Sequence, residues 1–102
     1  MTRVLTGLEV FLQSSPPKDI KRVGLICQNA SQLPDGSRSL DALLHGGVKI
    51  NALFGPEHGF YGQAADGASV ANSTEPHTGL PIFSLYGEHR APTRSMLKNI
   101  DT

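Results

Sequence analysis

The chain has 102 residues, 38% of them apolar, enough for one small domain with one core. Nine basic and nine acidic side chains cancel, and no stripe of Lys or Arg forms, so the sequence reads as no nucleic-acid binder. A single cysteine, Cys27, excludes an intrachain disulfide, and no apolar run approaches bilayer-spanning length, so no membrane partner is expected.

The N-terminal "MTRVLTGLEVFLQSS" makes a poor signal peptide, because Glu9 interrupts its apolar stretch and Arg3 is its one basic residue. The chain as given therefore reads as cytoplasmic, and as exported if a signal has been removed. "LTGLEVFLQ" predicts a first helix, with Leu5, Leu8, Phe11 and Leu12 on one face. Thr6 followed by Glu9 has the spacing of a capping box, and Pro16 and Pro17 are expected to end the helix. "KRVGLICQN" predicts a buried strand. "SRSLDALLHGG" predicts a second helix, with Leu40, Leu43 and Leu44 as its apolar stripe and Asp41 in its first turn.

"VKINALF" reads as a second strand, in which Val48, Ile50, Ala52 and Phe54 alternate against Lys49, Asn51 and Leu53. Residues 55–79 form a polar segment of about 25 residues, a length that is usually functional in a compact domain. Its portion 62–77 lacks apolar periodicity and is expected to be a mobile cleft wall. "LPIFSLYG" predicts a third strand. "PTRSMLKNI" predicts a third helix, capped by Thr93, with Met96, Leu97 and Ile100 on one face. Strands alternating with helices imply an α/β fold with a mostly parallel sheet.

In such a sheet, ligands bind beyond the carboxyl ends of the strands. Each predicted strand runs into a polar cluster there: "CQNAS" (27–31), "GPEHG" (55–59) and "LYGEHR" (85–90). Neither a dinucleotide fingerprint, a phosphate loop nor a nucleophile elbow is present, and no cofactor is expected. Cys27 reads as a small buried residue with an inert thiol. The pairs Glu57-His58 and Glu88-His89 raise a metal reading. Adjacent residues on an extended chain point apart, however, and no HxH or HExxH spacing supports the idea, so no metal is expected. In "PEHG", Pro56 stiffens the approach and Gly59 lets the backbone turn away, which can hold Glu57 in place as a general acid. His58 can tune that acid, contact a substrate or close the turn.

The segments "VLTGLEVF", "KRVGLICQNAS", "VKINALFGPEHGFYG", "TGLPIFSLYG" and "PTRSMLKNID" together resemble the DUF1343 family, which includes exo-β-N-acetylmuramidases. The resemblance covers nearly the whole chain. It implies a Rossmann-like, three-layer catalytic domain, of which residues 1–102 would be the N-terminal part, a smaller C-terminal domain being absent. It implies removal of terminal N-acetylmuramic acid from peptidoglycan fragments, so the expected partner is a peptidoglycan-derived saccharide. It makes Glu57 the leading catalytic residue, with His58 beside it, and Asn29, Gly59, Tyr86 and Gly87 substrate contacts. For the second carboxyl group that glycoside hydrolysis normally uses, the local candidates are Asp66, Glu75 and Glu88. The partner group can also be a tyrosine, the substrate's N-acetyl group or a residue beyond 102. The family continues with a further apolar strand, so an open sheet edge and pairing between copies are expected. The competing reading is a catalytically incomplete saccharide-binding or self-associating module.

Overall fold

The computed structural model describes residues 2–102. Helix α1 (Gly7–Leu12) starts at Thr6, whose hydroxyl accepts from the Glu9 amide while the Glu9 carboxylate accepts from the Thr6 amide, the reciprocal pair expected from the spacing. It ends at Leu12, before the prolines. Strand β1 (Val23–Ile26) leads through a loop to α2 (Ser39–His45), and β2 (Ile50–Gly55) follows. A long crossover, with a two-residue strand β3 (Ser73–Thr74) inside it, leads to β4 (Pro81–Ser84).

The sheet order is β1-β2-β4-β3. Both β1 and β4 pair with β2 in parallel, and β3 closes the far edge antiparallel to β4. The α/β class and the mostly parallel sheet expected from the sequence are present. Leu40 and Leu43 of α2, with Leu8, Phe11 and Leu12 of α1, cover one sheet face against Leu53 and Ile82. The other face, with Ala52, Phe54 and Phe83, is covered by Met96 and Ile100. Being central, β2 is buried on both faces. Leu53, placed by simple alternation on the polar side, is instead fully buried.

The third helix does not form. Thr93 does cap the segment, its hydroxyl accepting from the Met96 amide at 3.2 Å. After one helical bond, from the Leu97 amide to the Thr93 carbonyl, successive tight turns take over. Tertiary demands override the helical pattern here. The Ile100 side chain fills the space beside Gly24, the Asn99 carbonyl accepts from Asn51, and the Asp101 carboxylate accepts from the amides of Lys21 and Arg22. The chain is thereby laid along β1, where Gly24 donates to the Thr102 carbonyl at 2.8 Å. That contact engages part of the outer edge of β1, while Ile26 at its other end stays 62% exposed. Among the described residues, no helix is long and apolar enough to cross a membrane.

Candidate functional site

The carboxyl ends of β1, β2 and β4 lie along one edge, as parallel pairing requires. Beyond β2 the chain reverses sharply. The Gly59 amide donates to the Pro56 carbonyl at 2.9 Å, and both His58 (φ 70) and Gly59 (φ 78) adopt the left-handed conformation. For a histidine this backbone is strained, on the order of 1 kcal/mol. Gly55 makes the reversal possible, because a Cβ there would stand 2.8 Å from the Phe60 amide nitrogen.

Glu57 is half-buried, and its Oε2 accepts from the Gly67 amide at 2.8 Å. The bond fixes the carboxylate over the loop that follows. His58 Nδ1 donates to the Ala64 carbonyl at 2.8 Å, which places the ring proton on that nitrogen. Its Nε2 then lies 3.5 Å from Oδ1 of Asp66, an almost fully exposed carboxylate. The turn thus presents an acid and an oriented imidazole side by side.

A cavity of about 180 Å³ opens next to this turn, lined by His58, Gly59, Tyr61, Val70 and Ser84 among others. A second, of about 410 Å³, lies behind Val70 and is more polar, with Ser69, Asn72, Ser84, Glu88 and His89 in its walls. Glu57 lines neither cavity; its carboxylate is engaged by Gly67.

The segment expected to be a mobile wall does wall both cavities, and it is tied down along its second half. The Val70 amide donates to the Tyr86 carbonyl at 2.9 Å, Asn72 Oδ1 accepts from the Ser84 amide at 2.7 Å, and β3 pairs with β4. Val70 is central to this strap. Its carbonyl would lie 2.4 Å from a Cβ on residue 87, so Gly87 serves close backbone packing. Sequence reasoning passed over Val70, although it is the one large aliphatic side chain in 62–77.

Of the other expected site residues, Gly59 is buried at the turn and lines the smaller cavity. Asn29 is half-buried, and its Nδ2 donates to the Tyr61 carbonyl at 2.9 Å, tying the loop after β1 to the loop after β2. Tyr86 is half-buried at the end of β4, and its ring carries the Arg90 guanidinium 3.9 Å from the centroid. Asn29, Glu57 and Tyr86 thus share one edge, but each is held by a neighbouring loop.

The three local carboxylates separate cleanly. Glu75 is 0% exposed, accepts from the His77 amide at 2.9 Å and lies 3.8 Å from Arg38, so its carboxylate is sealed from solvent and held by the protein itself. Asp66 and Glu88 are exposed. Arg38 also grips Asp41 through two hydrogen bonds, at 2.9 and 3.0 Å, and this holds the Asp41 carboxyl below its usual range. Among the described residues no group of three or more His, Cys, Asp or Glu side chains is arranged to hold a metal ion.

Cys27 is buried at the end of β1, and burial pushes its thiol up to about 11 against a smaller opposing effect of Arg38. A raised folded-state value favours the neutral thiol, so any stability this contributes is lost as pH climbs past the usual thiol range towards 11. At pH 8 the folded chain is expected to react with a thiol-specific disulfide reagent far more slowly than the denatured chain. Equal rates would show that the thiol is accessible and ionised.

Comparison with known proteins agrees with this architecture. Residues 23–102 match the family described as exo-beta-N-acetylmuramidase NamZ, N-terminal. The peptidoglycan beta-N-acetylmuramidase NamZ of Bacillus subtilis (strain 168) is 40% identical over 97% of this chain, which spans 24% of that protein. A DUF1343 family protein from Bacteroides fragilis NCTC 9343 superposes with a TM-score of 0.77 at 37% identity, over 94% of this chain and 24% of its own. A second from the same organism gives 0.64 at 26%, over 93% and 23%. A strand-end turn bearing "PEHG", a tethered crossover and this similarity in sequence and fold all coincide: the chain belongs to the NamZ N-terminal family of exo-beta-N-acetylmuramidases.

Proposed function

We propose that this chain supplies the general-acid edge of an enzyme that removes terminal N-acetylmuramic acid from peptidoglycan fragments. The observation that carries the reading is the placement of Glu57. It sits on a strained, hydrogen-bonded turn at the carboxyl end of the central strand, beside a cavity, in a chain of this family. Such a carboxyl group can protonate a glycosidic oxygen as the bond to the sugar breaks. His58, oriented by Ala64, stands beside it to accept a hydrogen bond through Nε2. Asn29, Gly59, Tyr86 and Gly87 border the same edge as substrate contacts. Asp66 and Glu88 remain the local candidates for the second group, Glu75 being sealed from solvent.

The test compares this chain with a protein of family length that carries the same sequence, both assayed on a disaccharide ending in N-acetylmuramic acid. The longer protein is expected to release the free sugar, and the 102-residue chain to do so far more slowly. No release by the longer protein would overturn the muramidase reading. Equal rates would show that the short chain holds the whole catalytic apparatus.

A second reading, self-association through the β1 edge, is favoured by exposed Ile26 beyond the contact with Thr102. Light scattering decides it, because a strictly monomeric mass at high concentration removes this reading.

A further inference from the structure

We infer that Arg90 recognises the carboxylate of the terminal sugar, so that this edge selects an acidic amino sugar over its neutral counterpart. The inference rests on the muramic-acid reading and adds to it the residue that determines specificity.

N-acetylmuramic acid differs from N-acetylglucosamine by a lactyl ether whose carboxyl group is ionised at neutral pH. A site that distinguishes the two needs a cation with unused donors, held where the sugar binds. Of the nine Lys and Arg residues, Arg3, Arg22 and Arg38 have carboxylate partners. Arg38 is committed to Asp41 and Glu75, and Arg22 to Asp101. His58 and His89 face Asp66 and Glu88. Arg90 differs: among the described residues, no carboxylate pairs with its guanidinium.

Arg90 is nevertheless held in place. Its guanidinium lies over the Tyr86 ring, 3.9 Å from the centroid. The backbone beneath that ring is anchored, since the Tyr86 carbonyl accepts from Val70 and Gly87 packs against the Val70 carbonyl. Stacking uses the face of the guanidinium and leaves its in-plane N–H donors free for a planar acceptor. A carboxylate is the matching bidentate partner. Lys18, Lys21, Lys49, Arg94 and Lys98 also lack an ion pair among the described residues. Lys18, Lys21 and Lys49 precede β1 or β2, on the side of the amino ends of the parallel strands, Arg94 and Lys98 lie on the segment that returns to the start of β1, and none of the five rests on an aromatic ring. Arg90 therefore combines a free guanidinium fork with a stacking contact on Tyr86, in the segment that follows β4.

The experiment measures binding of N-acetylmuramic acid and N-acetylglucosamine to the whole chain by calorimetry or NMR titration, for the wild type and for Arg90→Gln. Arg90 is exposed, so the variant is expected to fold, which circular dichroism checks. The wild type should prefer the acidic sugar by about tenfold or more, the usual worth of a charge-assisted hydrogen bond. Arg90→Gln should abolish that preference while leaving affinity for the neutral sugar unchanged. Tyr86→Leu should weaken the preference by freeing the guanidinium. If the wild type binds both sugars equally, or if Arg90→Gln keeps the full preference, the inference fails and the saccharide reading stands. If the wild type binds neither sugar, the inference fails, and the muramidase reading is decided separately by sugar release from the protein of family length.

Discussion

Glu57→Gln is expected to lower the turnover of a muramic acid-terminated disaccharide by about a hundredfold or more, measured in a protein of family length that carries this sequence. The substitution keeps the size of the side chain. It also keeps an oxygen that can accept from the Gly67 amide, so the 2.8 Å tether of the loop survives. What is lost is the transferable proton. KM should change little, because a general acid acts chiefly as the glycosidic bond breaks. The melting temperature should stay close to that of the wild type. Turnover near wild type with folding intact would remove Glu57 from the mechanism. A collapse in stability would mean that the ionised carboxylate is needed by the loop rather than by the chemistry.

Leu53→Ala is expected to cost about 2–5 kcal/mol, the usual range for emptying a well-packed core position. Leu53 is fully buried in the central strand, opposite Leu25 of β1 and Ile82 of β4. Truncation therefore removes packing from all three parallel strands at once. For a domain of this size the melting temperature should fall by roughly ten degrees or more. Calorimetry or thermal circular dichroism reads the effect. A shift of only a degree or two would show that the neighbouring side chains collapse into the space.

The sequence carried the first helix, its reciprocal cap and the three parallel strands, because each rests on local chemistry: hydroxyl and carboxylate spacing in one case, short apolar runs bounded by turns in the others. It carried the common edge as well, since parallel pairing alone forces the clusters after β1, β2 and β4 together. The third helix failed for a non-local reason. Met96, Leu97 and Ile100 have helical spacing, but Ile100 is needed beside Gly24 and Asp101 beside Arg22, and a regular helix cannot deliver both. The anchored strap at Val70 was hidden for a similar reason. Its bonds run from the Val70 amide to the Tyr86 carbonyl and from the Ser84 amide to Asn72 Oδ1, and partners on β4 and just beyond it leave no pattern in the sequence of the strap. Glu75 shows the converse. Its chemistry made it a candidate acid, and only its burial against Arg38 and the turn at His77 reveals a structural role.

The crossover between β2 and β4 also bears on how the molecule comes to be folded. Val23 pairs with Ile50 and Leu53 with Ile82, so both parallel contacts join residues distant along the chain. The local antiparallel pairing of strands, between Ser73–Thr74 and Pro81–Ile82, is two residues long and too small to nucleate on its own. Loop-closure entropy must be met before the sheet gives any return, which places the chain among slow, topology-limited folders. The loop closed in the second of these steps is the one that bears Glu57 and His58. Gly87→Ala, whose Cβ would stand 2.4 Å from the Val70 carbonyl, should lower equilibrium stability and slow refolding together.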